Sequence, residues 1–176
     1  SGADGRIGHV EVFAAAERVA ALARFEELRG HAGGALRRNL AARTADAVAA
    51  ALTAGDADAV MALSADEVHW LDQRRLLSVP PEVRWSELID SIVDAGPPAW
   101  TLVPLAVRDE HLSMSRAVLD FDGLLVEFLC VLGVDDSGRA TRVGAFDVDD
   151  LAGAEALLNE WWLATLAPAH RDVFEC

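Results

Sequence analysis

The sequence of 176 residues contains no lysine and no tyrosine, and all fifteen of its basic residues are arginine. Its two cysteines, Cys130 and Cys176, exclude a disulfide framework and lack the spacing of a metal site. No apolar run approaches the length of a membrane span, and the N-terminus lacks the charged start and apolar core of a signal peptide. We therefore expect a soluble, cytoplasmic protein.

Acidic residues outnumber basic ones, with 29 Asp and Glu against 15 Arg, and the formal net charge is -14 at pH 7. Binding a polyanion needs clustered basic residues that displace counterions, so this balance argues against a nucleic-acid partner. The sequence also lacks a glycine-rich phosphate loop, a His-Glu-x-x-His motif, a Gly-x-Ser-x-Gly motif and a cysteine pair. We expect no cofactor and no metal.

The most informative stretch is an almost uniformly apolar run from Leu124 to Val134, which predicts a strand covered on both faces. The turn residues 135–138 follow, and a second extended run covers 139–146, so the pattern predicts a long hairpin. Asp147 is expected to cap a following helix, whose apolar face comprises Leu151, Ala154, Leu158 and Trp161.

Upstream, the pattern predicts three helices and three further strands. The helices cover about 35–54, 56–63 and 85–95, and the strands cover 68–76, 100–108 and 111–121. Gly55 is expected to end the first helix and Asp56 to cap the second. The apolar stripe of the first helix is expected to comprise Leu36, Leu40, Val48, Ala51 and Leu52. This order of elements predicts an α+β domain with helices gathered on one face of a curved antiparallel sheet.

The first residues of the chain are similar to the hairpin near its end. Residues 4–13 align with residues 137–146 at a constant offset, and Gly, Arg, Val and Phe coincide. The helices that follow also agree in character. We interpret residues 1–33 as the strand and helix that end a preceding copy, which makes this chain a piece of a longer protein. The alternative is an ordinary strand and helix.

Three segments carry a resemblance to a known superfamily. The Gly-Asp-Ala-Asp-Ala-Val-Met-Ala-Leu run at 55–63, the strand that ends at Asp72 and the hairpin that leads to Phe146 and Asp147 resemble nuclear-transport-factor-2-like proteins, which include ketosteroid isomerases and SnoaL-type polyketide cyclases. The segments at 72–75 and 145–151 are similar to SnoaL-like domains found in tandem in large actinobacterial regulatory proteins. The resemblance covers about residues 35–163, and this fold hosts many unrelated functions.

The last residues, 164–176, have little to anchor them and are expected to form a mobile tail. The resemblance implies a cone-shaped domain over residues 34–163, with three helices on the concave side of the sheet. It places Asp72 at the general-base position of ketosteroid isomerases. An aspartate in an apolar cone has its pKa raised by desolvation, which suits proton transfer at neutral pH. Cys130 occupies the position of the family's oxyanion partner, where its S–H is a poor donor, and the family's tyrosine is absent.

Asp72 and Arg74 allow two interpretations. Two aspartates with an arginine between them are the site of epoxide hydrolases of this fold, and Asp72, Asp147 and Arg74 or Arg75 imitate that set. Strand alternation places Arg75 on the face opposite to Asp72, which argues against that site. The plainer interpretation is a salt-bridged pair, Asp72 with Arg74, at the rim of the cone.

Aromatic and small apolar residues follow the same strands and helices, and they are expected either to line a cavity for a small apolar ligand or to fill it. The expected ligand-binding residues are Trp70, Asp72, Arg74, Trp85, Trp100, Phe128, Cys130 and Val143. Phe121 is a further aromatic of this kind.

A homodimer through the sheet face is also expected. Glu127, the one acid in the apolar strand, is expected to face a second copy or to pair with Arg108 or Arg116, rather than to lie in the cavity. Of Trp161 and Trp162, only one ring is expected to be fully buried, which leaves the other for a contact between copies.

Two functions follow from these observations. The first is a non-catalytic domain of a larger bacterial regulatory protein that binds a small molecule or mediates dimerisation. The alternative is a small enzyme of the cyclase, isomerase, dehydratase or epoxide hydrolase type, with Asp72 as its general base.

Overall fold

The expected α+β class is confirmed by the computed structural model, which describes residues 38–75 and 79–166. In chain order the elements are α1 (Leu40–Ala54), α2 (Ala57–Ala62), β1 (Ser64–Asp72), α3 (Trp85–Asp94), β2 (Ala99–Arg108), β3 (Leu112–Phe121), β4 (Leu124–Val134), β5 (Ala140–Asp147) and α4 (Leu151–Thr165). None of the helices in these two ranges is long and apolar enough to cross a membrane.

Local signals in the sequence mark several of these boundaries. Gly55 ends α1 in the left-handed conformation with φ 68°, and the Asp56 carboxylate accepts a hydrogen bond from the Ala59 amide at 2.9 Å, as expected. In the turn between β4 and β5, the Asp135 carboxylate accepts hydrogen bonds from the backbone amides of Ser137 and Arg139. The long hairpin is therefore confirmed.

The five strands form one curved sheet in the order β1-β5-β4-β3-β2. The pairs from β2 to β5 are antiparallel, whereas β1 pairs with β5 in parallel, so the expectation of a wholly antiparallel sheet was wrong at that edge. Successive hairpin strands must run in opposite directions, but β1 is separated from β5 by most of the domain, and no local turn sets their relative direction. Irregular pairing in β1, β2 and β4 adds to the bend of the sheet.

Helices α1, α2 and α3 lie on one side of the sheet, which we call the inner face. The sheet contributes Leu132, Val134 and Val143 to the core there, and α1 contributes Ala41 and Ala45. The buried residues of α1 are mainly alanines and differ from the predicted stripe, in which only Leu52 is fully buried and Leu36 lies outside the described ranges. Small side chains allow the helix to lie close to the sheet.

Helix α4 covers the opposite side, which we call the outer face. Its Leu157 and Leu158 pack on Met114, Leu129 and Val131 of the central strands. The helix begins at Asp150, whose carboxylate accepts from the Gly153 amide at 3.0 Å; the prediction of Asp147 as the cap was wrong, because Asp147 still belongs to β5. The cover is partial. Leu124 is 67% exposed and Leu125 is 57% exposed at the start of β4, so the expectation that this strand is covered along its whole length was also wrong.

Both tryptophans of α4 are half-buried against the outer-face core, which corrects the expectation of one fully buried ring. The Arg142 guanidinium lies 4.8 Å from the centre of the Trp161 ring, and the Arg108 guanidinium lies 5.9 Å from the centre of the Trp162 ring. Cations at this distance are attracted to the ring face. Each indole ring therefore contacts an arginine side chain of the same domain.

Asn39 precedes α1 and connects it to the sheet. Its side-chain oxygen accepts from the Ala42 amide at 2.8 Å, and its amide nitrogen donates to the carbonyls of Asp109 and Leu112 at 3.0 and 2.8 Å. The predicted helix start at 35 was therefore too early, because Asn39 has extended backbone and caps the helix.

Asn39→Ala is expected to lower the free energy of unfolding by about 2 kcal/mol, since it removes a helix cap and the hydrogen bonds that the side chain donates to two carbonyl groups. Urea denaturation followed by tryptophan fluorescence measures the loss. Asp56→Ala, which removes the exposed cap of the short helix α2, is the comparison and should have a smaller effect. Equal losses in the two variants would contradict the role assigned to Asn39.

Two predictions fall outside the described residues. The repeat-like segment at 1–33 lies outside them entirely, and so does the tail from residue 167 onward, while α4 itself continues to Thr165.

Candidate ligand cavity

A cavity lies between the inner face of the sheet and the helices α1 and α3. The helices line it with Ala45, Val48, Ala49, Leu52, Trp85, Leu88, Ile89 and Ile92, and the strands line it with Trp70, Trp100, Leu102, Phe128, Cys130, Leu132, Ala140 and Val143. The strand residues reach it because alternate positions of each strand point to the same face.

The cavity has a volume of about 80 Å³ and carries no charged side chain in its lining. Pockets for drug-sized ligands have volumes of roughly 300–1,000 Å³. In this conformation the cavity therefore suits a molecule of only a few heavy atoms.

Four aromatic rings form two pairs in the cavity wall. The Trp70 and Trp85 rings lie 5.7 Å apart, tilted by 37°, and the Trp100 ring meets the Phe128 ring edge-on at 6.0 Å. Such offset and edge-to-face arrangements are the favourable ones for aromatic pairs. They fix the orientation of the indoles around the open volume.

The indole N–H groups of these tryptophans differ in their partners. The Trp85 N–H donates to the Ser64 hydroxyl at 3.0 Å. The Trp70 and Trp100 N–H groups are buried and have no hydrogen-bond acceptor within the described ranges. Buried donors without an acceptor are rare in folded proteins, and each one raises the free energy of the folded state.

Cys130 contributes the only sulfur in the lining. Burial raises the pKa of its thiol to about 12, so the group stays neutral at physiological pH. It therefore adds to the lining as a small apolar group and is a poor nucleophile.

The side chain of Asp72, the expected general base, is fully buried, and its carboxylate accepts four hydrogen bonds. Two nitrogens of the Arg74 guanidinium donate to its two carboxylate oxygens at 2.9 and 2.6 Å. The backbone amides of Arg74 and Val79 donate at 3.0 and 2.8 Å. The salt-bridged interpretation of Asp72 and Arg74 is confirmed, and the Arg74 guanidinium also lies 4.9 Å from the centre of the Phe128 ring.

The expected direction of the Asp72 pKa was wrong. Burial by itself would raise it, but the hydrogen bonds from the Arg74 side chain and from the Val79 and Arg74 amides outweigh burial and hold the pKa below its ordinary value of 3.8. The carboxylate is therefore ionised but engaged on both oxygens, which is unfavourable for accepting a proton from a substrate.

A second arginine forms a separate cluster at the same edge of the sheet. Arg75, whose side chain is 71% exposed, donates to Asp147 at 2.6 Å and to Asp149 at 2.9 Å. Arg74 and Arg75 therefore pair with different aspartates. Because β1 ends at Asp72, neither arginine lies in the strand, and the alternation argument stays a prediction.

Of the eight predicted ligand-binding residues, Trp70, Trp85, Trp100, Phe128, Cys130 and Val143 line the cavity, while Asp72 and Arg74 do not. Phe121 is 40% exposed and lies elsewhere. Glu127 pairs with Arg116 on the outer face, which is one of the two positions expected for it.

The sequence analysis missed the alanines of α1 as lining residues, since small residues carry little periodic signal. The described ranges contain no cluster of side chains suited to a metal ion.

The lowered carboxyl pKa values make stability sensitive to acid. Asp72 is held low by Arg74 and by backbone amides, and Asp135 has a pKa of about 2 because Ser137 and Arg139 donate to it. A carboxyl group whose pKa is lower in the folded state than in the unfolded state stabilises the folded protein. This contribution is complete at pH values above the pKa of the unfolded state, and it is lost as the pH falls through the pKa of the folded state. We expect the melting temperature to be nearly constant down to about pH 5 and to fall steeply below about pH 4. Asp135→Asn should reduce the slope, and an unchanged slope would contradict this origin.

This protein is similar to known proteins in its three-dimensional structure, whereas its sequence matches none of the families or curated proteins compared. RV0760c of Mycobacterium tuberculosis and a computationally designed 17-OHP binder each superpose with a TM-score of 0.50 and 17% identity, over 63% of this chain and 97% and 94% of theirs. The Δ5-3-ketosteroid isomerase of a Mycobacterium species superposes with a TM-score of 0.49 and 18% identity, over 64% of this chain and 95% of that chain.

The chain has the nuclear-transport-factor-2-like fold. At these identities the likeness establishes the fold and leaves the activity open.

Proposed function

We propose that this domain binds a small, uncharged, largely apolar molecule in the cavity and carries out no reaction on it. The observation that carries the proposal is the lining, which combines apolar and aromatic side chains with open volume. Ligand sites typically combine an apolar lining with a few polar groups that orient the ligand.

Packing supports a binding cavity over a filled core. Protein interiors are close-packed, and voids larger than a water molecule are few. An apolar cavity of this kind stays dry and accepts apolar guests such as benzene or xenon. The volume of about 80 Å³ is therefore available to a guest without displacing ordered polar groups.

The absence of catalysis is proposed from the state of Asp72. Its two oxygens are occupied by Arg74 and by backbone amides, its pKa is lowered, and it does not line the cavity. Cys130, at the position of the family's oxyanion partner, is a neutral thiol. Neither group suits general-base or oxyanion chemistry.

The proposed setting is an accessory domain of a larger bacterial regulatory protein that forms homodimers. The similarity of residues 4–13 to residues 137–146 supports a tandem arrangement. Because α4 covers part of the outer face, a dimer contact would use the uncovered part near the β3–β4 turn, where Leu125 is exposed.

Xenon and benzene are the probes that test binding. Ala49 lines the cavity from α1, so Ala49→Met is expected to fill the volume and to abolish binding of both probes. Filling a cavity commonly adds about 0.5–2 kcal/mol of stability, so the variant should remain folded. ¹²⁹Xe NMR and calorimetric titration with benzene measure the two affinities.

Ala50→Met is the matched control, because Ala50 is the next residue of α1 and is exposed. It should leave both affinities unchanged. Failure of the unaltered protein to take up either probe would overturn the proposal, and so would equal binding by the Ala49→Met variant.

A further inference from the structure

Aromatic side chains are concentrated around the cavity. Phenylalanine, tryptophan and tyrosine together make up only 6% of the chain. Three of the five tryptophans, together with Phe128, are nevertheless among the sixteen residues that line this one volume. The wall of the cavity is therefore much richer in aromatic rings than the chain as a whole.

The rings of the wall pair with one another and also border the open volume. The Trp70 and Trp85 rings lie 5.7 Å apart, and the Trp100 and Phe128 rings lie 6.0 Å apart. An aromatic ring has a negative face and a positive edge, so an offset or edge-on neighbouring ring is attracted beyond the effect of apolar burial alone. The ring surface that borders the cavity is available for a further contact of this kind.

We propose that the cavity selects an uncharged aromatic ring over a saturated ring of the same size, through contacts with the tryptophan and phenylalanine rings of its wall. This inference rests on the proposed function and specifies the chemical class of the ligand. The Cys130 sulfur, which also lines the cavity, is polarizable and makes favourable contacts with aromatic rings.

The rest of the lining excludes charged substituents on that ring. The remaining positions are alanine, valine, leucine and isoleucine, and no charged side chain lines the cavity. The Arg74 guanidinium lies 4.9 Å from the centre of the Phe128 ring, but two of its nitrogens already donate to Asp72. A carboxylate or ammonium group would lose its hydration without a compensating partner. The volume of about 80 Å³ leaves room for a single small ring.

Benzene and cyclopentane separate the two classes, because they have nearly the same volume and only benzene is aromatic. Saturated hydrocarbons leave water more readily than aromatic ones, so each dissociation constant is referred to the partition of that probe between water and hexadecane. After this correction we expect benzene to bind about tenfold more tightly, which corresponds to about one aromatic pair. Titrations followed by ¹H NMR measure both affinities. Ala49→Met should abolish both, which locates the two probes in the same cavity.

Trp100→Leu and Trp100→Phe form a matched pair of variants. The two replacements are similar in size, and only phenylalanine keeps an aromatic ring. Neither removes a hydrogen bond of the indole N–H, which has no acceptor within the described ranges. The corrected preference for benzene should fall about threefold in Trp100→Leu and stay within about twofold of its original value in Trp100→Phe.

The failure of this inference is distinguishable from the failure of the proposed function. Equal corrected affinities for benzene and cyclopentane would overturn the inference and leave the proposed function intact. A preference that Trp100→Leu leaves unchanged would also contradict it, because the rings of the wall would then not be its source. Uptake of no probe, xenon included, would overturn both. If Trp100→Leu does not fold, the comparison of the two probes in the unaltered protein still decides the matter.

Discussion

Asp72→Asn is expected to lower the free energy of unfolding by about 3 kcal/mol. The Asp72 side chain is fully buried, and the side chain of its partner Arg74 is only 13% exposed. Removing one member of a buried ion pair leaves an uncompensated charge, which typically costs about 3–5 kcal/mol. The asparagine amide would also direct a donor toward groups that donate themselves, namely the Arg74 guanidinium or the Val79 amide. Urea denaturation measures the loss.

Two further variants locate the source of that loss. Asp147→Asn breaks an ion pair at the same edge of the sheet, but its partner Arg75 is largely exposed and the effect should be small. In a double-mutant cycle, Arg74→Gln combined with Asp72→Asn should cost much less than the sum of the single variants. Additive losses would show that the pair is not the source. The result also bears on function, because a structural carboxylate explains why this position is acidic without a reaction.

Leu158→Ala is expected to lower the free energy of unfolding by about 3 kcal/mol. Leu158 is fully buried between α4 and the outer face, where it packs with Leu129, Val131 and Phe146. Truncation of a buried leucine to alanine costs about 2–5 kcal/mol, because apolar contact is lost and a cavity is left. Thermal and urea denaturation followed by circular dichroism measure the change.

Leu124→Ala is the comparison for Leu158→Ala, since Leu124 is mostly exposed on the same sheet. Its effect should lie within about 0.5 kcal/mol. A small effect of Leu158→Ala would contradict the packing of α4 on the outer face. It would also free that whole face for a contact between copies.

Local features were predictable from the sequence because they depend on neighbouring residues. The β4 boundaries, the glycine that ends α1, the Asp56 cap and the turn at Asp135 all follow from short-range side-chain and backbone chemistry. The pairing of Glu127 with Arg116 was one of two predicted roles, since a charge in an apolar strand needs a partner.

Features that depend on distant residues were predicted less well. The cap of α4 was placed at Asp147, three residues early, because Asp147 and Asp150 carry the same local signal. The stripe of α1 was drawn through its larger residues, whereas alanines face the sheet. Trp70, Trp100 and Phe128 border the cavity because strand alternation brings them to one face, and their role in binding a ligand stays a prediction.

By itself, the sequence determined the class of the fold, the long hairpin and the aromatic residues of one sheet face, because periodicity and turn chemistry act over a few residues. Only the tertiary structure decided the parallel pairing of β1 with β5, the cover of the outer face by α4 and the volume left between α1, α3 and the sheet. It also decided the state of Asp72, because a pKa depends on the balance between burial and hydrogen bonds from groups that folding brings together. Folding also buries the indole N–H groups of Trp70 and Trp100, which have no acceptor within residues 38–75 and 79–166, and the sequence pattern did not predict this.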